Sequence, residues 1–250
     1  MKKSNRLIVT AIVITLLSLL AYDILLKAAY RSGEYKNPYR NFTALNYKDF
    51  DIVDINSSTA ANVKFVQGPF SVMMDNYADD YVKISQHGNR LQVDANFEGD
   101  YRSNQSPYLL VISCPLLRQV NAGATYLTYG RPYTDTTVKE TWNMREILIS
   151  GFKQDSISIV QDYGSTVVLD STQFRSISAV TGISAGSGSK LVLLNTNRFE
   201  NTRLDIRQHS KLIVHNATIN RLDYMLADSA QLIISGNAQH LLKNSNIVNR

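Results

Sequence analysis

The stretch ILISGFKQDSISIVQDYGSTVVL, residues 147–169, decides the fold because it contains one full copy of a repeated pattern. An apolar triplet, Ile147-Leu148-Ile149, is followed by an apolar-polar-apolar segment, Ile157-Ser158-Ile159, and the next triplet starts at Val167. Ser, Gly and Asp residues, which favour turns, separate these segments. The pattern predicts two short β-strands in each repeat.

The same pattern recurs through the second half of the chain. The triplets are Ile147-Leu148-Ile149, Val167-Val168-Leu169, Leu191-Val192-Leu193, Leu212-Ile213-Val214 and Leu232-Ile233-Ile234, with a degenerate copy at Tyr126-Leu127-Thr128. Their starts lie 21, 20, 24, 21 and 20 residues apart. The second segment recurs as Ile177-Ser178-Ala179, Leu204-Asp205-Ile206 and Leu222-Asp223-Tyr224.

A fixed period of this length, carried by short strands, is typical of a β-solenoid, in which each coil buries apolar side chains against its neighbours. Six triplets predict about six coils, stacked over about 30 Å at about 4.8 Å per coil. A β-sandwich is the alternative, although a sandwich does not require both strands to repeat at matching offsets. The predicted fold class is all-β, with an N-terminal membrane-anchor helix, a short antiparallel hairpin region and a single-stranded β-solenoid of about 20–24 residues per coil.

Strand alternation predicts which side chains of the triplets face outward. The residue before each triplet is polar, so the first and third triplet residues are expected inside and the middle ones outside. The polar residues are Glu146, Thr166, Lys190, Lys211 and Gln231, and the expected outward apolar residues are Leu148, Val168, Val192, Ile213 and Ile233. Large apolar patches are seldom left bare, so this row is expected to be covered by residues 50–115, covered by a partner or second copy, or to be ordinary surface.

The first half of the chain predicts shorter, less regular elements. Strands are expected at 52–55, 63–66, 70–74, 81–85 and 91–95, separated by turn formers and paired as antiparallel hairpins. The expected organisation is a signal-anchor segment at 1–30, a tether at 31–48 and a β domain at 49–250. Within that domain, 49–115 is the hairpin region and 116–250 forms the coils.

The N-terminus predicts export. Lys2, Lys3 and Arg6 precede an uncharged apolar run at residues 7–22, and residues 24–30 extend it. The run lies between the length of a cleaved signal and that of a membrane span, and no good cleavage site follows it. The basic residues favour a cytoplasmic N-terminus. The predicted location is the inner membrane, single-pass, with the C-terminal domain in the periplasm; secretion or outer-surface display after signal cleavage is the alternative.

Composition excludes several classes of function. Basic residues at the N-terminus supply +3 of the net charge of +5, and the rest are spread thinly, so no nucleic-acid partner is expected. The single cysteine, Cys114, cannot form an intrachain disulfide. The four histidines are scattered, and no catalytic, cofactor-binding or metal-binding residues are expected. One acidic pair, Asp205 and Asp223, falls at equivalent places in successive repeats, as do Arg203 and Arg221. Stacked carboxylates could serve a glycosidase, but neutralisation by the arginines is the simpler interpretation.

Exposed aromatic residues suggest a second contact surface. The chain has 14 tyrosines, many of them in expected loops. The segment 131–145 interrupts an otherwise short repeat, and such excursions often lie on the binding face of a solenoid. Tyr129, Tyr133 and Trp142 lie in or beside it and could stack on sugars or anchor a protein.

Several segments resemble a known family. They are Gln67-Gly68-Pro69-Phe70-Ser71-Val72, Tyr81-Val82-Lys83-Ile84, Leu91-Gln92-Val93, Leu110-Val111-Ile112-Ser113-Cys114-Pro115-Leu116-Leu117 and Asn121-Ala122-Gly123-Ala124. Together they resemble the auto-transporter adhesin head GIN domain family, exported proteins common in Bacteroidota. The resemblance covers roughly residues 50–240 and implies hairpins continuing into a β-solenoid; it brings no catalytic residues. This chain departs from the family in its long segment 131–145 and in having a predicted membrane anchor where a lipoprotein cysteine would be expected.

The function expected from the sequence is non-enzymatic binding of a protein or glycan by an exported, membrane-anchored β-solenoid. Two alternatives stay open at this stage. One is a carbohydrate-active solenoid enzyme that acts on envelope polysaccharide, and the other is a structural module that self-associates.

Overall fold

A computed structural model describes residues 3–33, 36–98, 108–138 and 145–240, apart from the side chain of His240. Contacts divide the chain into two compact units, Met1–Phe42 and Thr43–Arg250. The first unit is dominated by one helix, and the second consists almost entirely of β-strands.

Helix α1 spans Lys3–Ser32, and all of its side chains are exposed. Gly33 follows at a φ of 70°, the left-handed conformation that commonly ends a helix. Among the described residues, α1 is the one helix long and apolar enough to cross a membrane by length and composition, a test that export signals also pass. The helix continues past Asp23 and Lys27 to Ser32.

The strands of the first half are β1 (Phe42–Leu45), β2 (Ile52–Ile55), β3 (Val63–Gln67), β4 (Ser71–Asp75), β5 (Val82–His87), β6 (Arg90–Phe97), β7 (Leu110–Cys114), β8 (Gln119–Ala122), β9 (Thr125–Thr128) and β10 (Arg131–Thr134). Those of the second half are β11 (Ile147–Ser150), β12 (Lys153–Gln161), β13 (Thr166–Asp170), β14 (Gln173–Thr181), β15 (Lys190–Leu193), β16 (Arg198–Ile206), β17 (Lys211–His215), β18 (Thr218–Leu226) and β19 (Gln231–Ser235). A 3-10 helix, Gly236–His240, follows β19.

In the described part of the chain these strands form two mixed sheets. Sheet A has nine strands in the order β1-β4-β7-β3-β11-β13-β15-β17-β19. Sheet B has the order β10-β9-β6-β2-β8-β12-β14-β16-β18, with β5 paired beside β6. From β11 onward the chain alternates between the sheets, and each strand pairs in parallel with the strand two further along.

The pairing register is set by which side chains are apolar. The five regular triplets are aligned residue for residue, so that Leu148 pairs with Val168 and Val168 with Val192. Their first and third residues are buried on strands β11 to β17, as the alternation predicts, and become partly exposed on β19. These side chains join those of sheet B in one hydrophobic core. Phe174 on β14 stacks on Phe199 on β16, with ring centroids 5.9 Å apart.

The hairpin prediction for the first half is right for one pair and wrong for another. Strands β5 and β6 form an antiparallel hairpin around His87-Gly88-Asn89. Strands β3 and β4 do not pair with each other, because β7 lies between them, parallel to β3 and antiparallel to β4. Strand β2 similarly lies between β6 and β8. Strands from 49–115 and from 116–250 therefore share both sheets.

Two further details differ from the sequence predictions. The degenerate triplet at residues 126–128 belongs to β9, which lies in sheet B and pairs antiparallel with β10, so it is not a sixth copy in sheet A. Strand β9 also pairs in parallel with β6 over two residues, Asn96 with Leu127 and Phe97 with Thr128. The expected tether contains β1, which lies at the edge of sheet A.

Candidate binding surfaces

The five outward residues of the triplets lie in register on neighbouring parallel strands. They form a row, the outward row, of Leu148, Val168, Val192, Ile213 and Ile233. The row continues beyond Leu148 through Lys64, Val111 and Met73 on β3, β7 and β4. One side chain among these eight is charged, so this face of sheet A carries a nearly continuous apolar strip.

Exposure along the outward row is uneven. Ile233, on the last strand, is 46% exposed, and Leu148, Val192 and Ile213 are half-buried. Val168 is an exception to the prediction, because it is buried in the middle of the sheet between Leu148 and Val192. Thr166, expected to be solvated, is buried beside it.

The described strands of residues 50–115 lie beside the outward row and not over it. Their strands β3, β4 and β7 lie beside it in sheet A, and β2, β5 and β6 lie in sheet B. Outside the strands, Tyr108 lies against Lys64 of the same face, with Lys64 Nζ 5.8 Å from the ring centroid, and covering of the outward row by this region stays a prediction. The apolar residues of its strands are buried because these strands extend the two sheets.

A second surface consists of aromatic rings that reach the edge of sheet B. Phe97 on β6 stacks on Tyr81 at a centroid distance of 4.7 Å and contacts Tyr126 on β9 edge-on at 5.7 Å. Tyr126 in turn lies 5.3 Å from Tyr133 on β10. Phe97 is buried and Tyr133 is 49% exposed, so the series of rings leads from the interior to solvent. Burial, with the nearby Asp135 carboxylate, raises the pKa of Tyr126 to about 12, so this phenol stays neutral.

Tyr129 lies at the tip of the β9–β10 hairpin. Thr128 pairs with Arg131, so Tyr129 and Gly130 form a two-residue turn. Both have positive φ, 50° and 71°, as in a type I′ turn, where Asn and Gly are preferred. A bulky side chain in this conformation is uncommon and carries strain. The Tyr129 ring is 63% exposed. We refer to Tyr126, Tyr129 and Tyr133 as the aromatic edge.

The chain after β10 is fastened to the turns of the repeats. Gly164 donates a backbone hydrogen bond to the carbonyl oxygen of Asp135 at 2.6 Å, and Gly188 donates one to Thr136 at 2.8 Å. A Cβ atom on Gly164 would lie 2.6 Å from the Thr137 carbonyl oxygen, so only glycine allows this approach. Residues 135–138 are thus a fixed strap, and Asp135 in it lies against Tyr126 of the aromatic edge. Trp142, the third predicted aromatic contact, lies outside the described residues.

The outer face of sheet B carries a polar network that sequence reasoning missed. Asp54 on β2 accepts two hydrogen bonds from Arg90 Nη1, at 2.6 and 2.7 Å, and one from Asn121 on β8. Asp94 on β6 accepts hydrogen bonds from Asn56 and Gln92. The sequence signal that could have revealed this network is the polar residue at every second position of these strands.

An ion pair between Asp51 and Arg118 lies just before strand β2. Asp51 accepts hydrogen bonds from Arg118 and Asn89. Burial alone would raise the pKa of Asp51, but the hydrogen bonds from Arg118 and Asn89 outweigh it and hold the pKa below its ordinary value. The carboxylates of this face are thus matched by neighbouring donors, which suits a structural role.

The acidic pair expected at equivalent places is not stacked. Asp223 pairs in register with Arg203, and Asp205 pairs with Met225. The insertion before β16 shifts the alignment by two residues relative to the sequence reading. Each carboxylate also lies beside its own arginine, Asp205 with Arg207 and Asp223 with Arg221. The arrangement expected of a glycosidase pair is therefore wrong for these residues.

The remaining reactive groups are scattered or enclosed. Burial raises the pKa of the Cys114 thiol to about 12, so the thiolate nucleophile does not form at neutral pH. His87, His209 and His215 are exposed on different parts of the β unit. Among residues 3–33, 36–98, 108–138 and 145–240, no three His, Cys, Asp or Glu side chains are grouped to hold a metal ion.

Comparison with known proteins gives a likeness of fold at low identity. No protein-family model matches the chain, and no curated protein matches it. A provisionally named adhesin from Bacteroides fragilis NCTC 9343 is 10% identical, with 85% of this chain and 99% of that chain covered and a TM-score of 0.37. A provisionally named lipid-binding protein from Parabacteroides distasonis ATCC 8503 is 12% identical, with 83% and 96% covered and a TM-score of 0.35.

A third solved structure is similar at the same level. It is a provisionally named adhesin from Parabacteroides merdae ATCC 43184, 11% identical, with 84% of this chain and 95% of that chain covered and a TM-score of 0.30. Identities and TM-scores of this size assign neither a family nor a function. The resemblance to the head GIN domain family stays a prediction.

Proposed function

We propose that this chain is a membrane-anchored envelope protein whose exported β unit is a β-solenoid that binds a glycan or protein without catalysis. Helix α1 is the anchor, with Lys2, Lys3 and Arg6 on the cytoplasmic side and the β unit in the periplasm. Support for the solenoid comes from the alternation of the chain between two sheets and from the residue-for-residue stacking of its repeats.

The observation that carries the binding role is the aromatic edge. Tyr129 is held at a positive φ where glycine would be unstrained, and its side chain is 63% exposed in the turn between β9 and β10. Strained residues of this kind cluster at functional sites, and among the described non-glycine residues at positive φ, Tyr129 is the one with a bulky ring more than half exposed. Exposed tyrosine rings offer an apolar face for the C–H groups of a sugar and a hydroxyl for hydrogen bonding. The rigid backing by Phe97 and the strap at 135–138 holds the rings in place, so we favour a glycan ligand.

Tyr129→Gly tests this role without confusing it with stability. Glycine adopts a positive φ without strain, so the variant is expected to melt at or above the temperature of the parent. The full chain in detergent is run through native gels containing each of a panel of soluble neutral and acidic polysaccharides. Retardation by at least one polysaccharide is expected for the parent, and Tyr129→Gly and Tyr133→Ala are expected to lose most of it.

The matched control is Tyr77→Ala, since Tyr77 is 70% exposed and lies in the turn after β4. This variant should be retarded like the parent. Equal retardation of the parent and both aromatic-edge variants would exclude the aromatic edge as the glycan site. If none of the polysaccharides retards the parent, the glycan proposal itself is contradicted.

The outward row is proposed as a second contact surface of the same protein. Val192→Lys combined with Ile213→Lys places two charges on this row at half-buried outward positions. If the aromatic edge binds the glycan alone, the double variant keeps its retardation. Loss of retardation in this variant, with unchanged melting, would move the glycan site to the outward row.

A further inference from the structure

Helix α1 carries one charged residue inside the stretch that is long enough to cross a bilayer. Arg6 and Lys27 enclose residues 7–26, in which Asp23 is the one charged side chain. At a rise of about 1.5 Å per residue, this stretch spans about 30 Å, the thickness of the hydrocarbon core. With the two basic side chains at the two interfaces, Asp23 lies about one helical turn inside the apolar layer. A carboxylate at this depth is costly unless it has a partner.

The Thr and Ser hydroxyl groups of this stretch need no partner outside the helix. Those of Thr10, Thr15 and Ser18 donate hydrogen bonds to backbone carbonyl oxygens three or four residues earlier, at distances of 2.8 or 2.9 Å. Asp23 is exposed, and its carboxylate has no hydrogen-bond or ion-pair partner among the residues that the structure describes, Lys27 included. Its partner is therefore expected to come from another chain.

Asp23 and Lys27 lie on one face of α1 that has the spacing of a helix-packing interface. Side chains at alternating intervals of four and three residues lie along one face and pack against a neighbouring helix. This face, which we call the α1 seam, contains five apolar or aromatic side chains and one charge of each sign. Its members are Val9, Val13, Leu16, Leu20, Asp23, Lys27 and Tyr30.

The α1 seam is complementary to itself in a parallel pair of helices. Two copies that insert in the same orientation are parallel, and a seam residue of one helix then packs beside the next seam residue of the other. Asp23 of each copy would lie beside Lys27 of the other, which gives two ion pairs related by a two-fold axis. A different helix would have to supply a matching pair of charges at the same depth. Charge complementarity therefore favours a second copy as the occupant.

We propose that two copies of this chain associate in the membrane through the α1 seam, in parallel, with Asp23 of each copy paired with Lys27 of the other. The proposal rests on the proposed role of α1 as a membrane anchor and adds a partner for that anchor. Pairing joins two β units, and thus two aromatic edges, in one particle. A glycan with repeated units would then be bound bivalently, which raises the apparent affinity through effective concentration.

Disulfide trapping tests the face of the helix. Leu16→Cys lies on the α1 seam, and Ser18→Cys is the matched control, because it lies on the opposite face at nearly the same depth. The full chain in the membranes of the expressing cells is oxidised with copper phenanthroline. Leu16→Cys is expected to give several-fold more disulfide-linked dimer than Ser18→Cys. The native Cys114 is buried and does not compete.

Charge reversal tests the ion pairs. Asp23→Lys and Lys27→Asp each place like charges beside each other in the dimer, so each should lower the cross-linking of Leu16→Cys about tenfold. The amount of each variant in the membrane pellet is measured as the control for insertion.

Co-expression of the two charge variants, with tags of different size, shows whether the pairs form between copies. Positions 23 and 27 are then both basic in one chain and both acidic in the other, so the mixed dimer should form in preference to either homodimer. An ion pair between Asp23 and Lys27 within one helix predicts no such preference.

Four results would overturn the proposal. The first is equal cross-linking of Leu16→Cys and Ser18→Cys in a chain that resists alkaline carbonate, which would leave the anchor role intact. The second is a cross-link from Leu16→Cys to a different protein in place of a second copy. The third is a mixed dimer no more abundant than the homodimers. The fourth is release of the parent chain by carbonate, which would contradict the anchor role as well.

Discussion

Asn197 shows how a single side chain ties two neighbouring repeats together. It lies just before β16 and is fully buried. Its Oδ1 accepts hydrogen bonds from the backbone N–H and the hydroxyl of Thr172, at 3.0 and 2.7 Å, and its Nδ2 donates to the Leu169 carbonyl at 2.6 Å. The Asn197 amide therefore hydrogen-bonds the buried polar groups of the turn between β13 and β14 in the preceding repeat.

Asn197→Ala is expected to lower the free energy of unfolding by about 3 kcal/mol, because it leaves buried donors and an acceptor without partners. Urea unfolding of the variant measures this loss. Asn195→Ala, at an exposed position of the same turn, is the matched control and should change stability by less than about 0.5 kcal/mol. Equal effects of the two substitutions would refute the structural role of Asn197.

The sequence does not distinguish these two asparagines. Asn195-Thr196-Asn197 is a polar turn by composition, and only the stacking of the repeats turns Asn197 inward. The same limit applies to Tyr129, whose position in a loop was predicted but whose positive φ depends on the two-residue turn. Val168 is the converse case, because alternation gives its direction correctly but not its burial.

At the scale of elements, the inward and outward phase of the triplets is the main predicted feature. Ile149→Asp places a charge in the core between the sheets and is expected to cost about 4 kcal/mol. Leu148→Asp changes the neighbouring outward residue and should cost about 1 kcal/mol. Thermal melting of the two variants compares them directly, and a reversed order of stability would show that the phase is wrong.

The positions of the strands and the inward or outward direction of their side chains were predictable, because both follow from the local alternation of apolar and polar residues. Pairing was predictable only where a repeat supplied the register, as for the triplets of β11 to β19. Strand β7 lies between β3 and β4 although it follows them by more than 30 residues, and no local pattern reports such an insertion. The misalignment of Asp205 with Asp223 has a similar cause, since the extra residues before β16 hide the true register.

At the scale of the whole molecule, helix α1 predicts how the chain associates with membranes. The full chain is expected to stay in the membrane pellet after an alkaline carbonate wash, because an apolar helix of 30 residues is long enough to span the bilayer. Leu16→Arg, which places a charge near the middle of the apolar run, should release a large fraction. A soluble product that lacks the first 20 to 30 residues would show instead that the segment is a cleaved signal.

The parallel stack positions every surface of the β unit described above, and the distance between spin labels on the outward row tests it most directly. Leu148 and Ile233 are separated by four strand spacings, or about 19 Å, and Lys64 and Ile233 by five, or about 24 Å. Double electron–electron resonance on the two double-cysteine variants should give short, narrow distributions, with the Lys64 pair longer by about one strand spacing, about 5 Å. Mean distances beyond about 35 Å, or a shorter distance for the Lys64 pair, would contradict the in-register parallel stack.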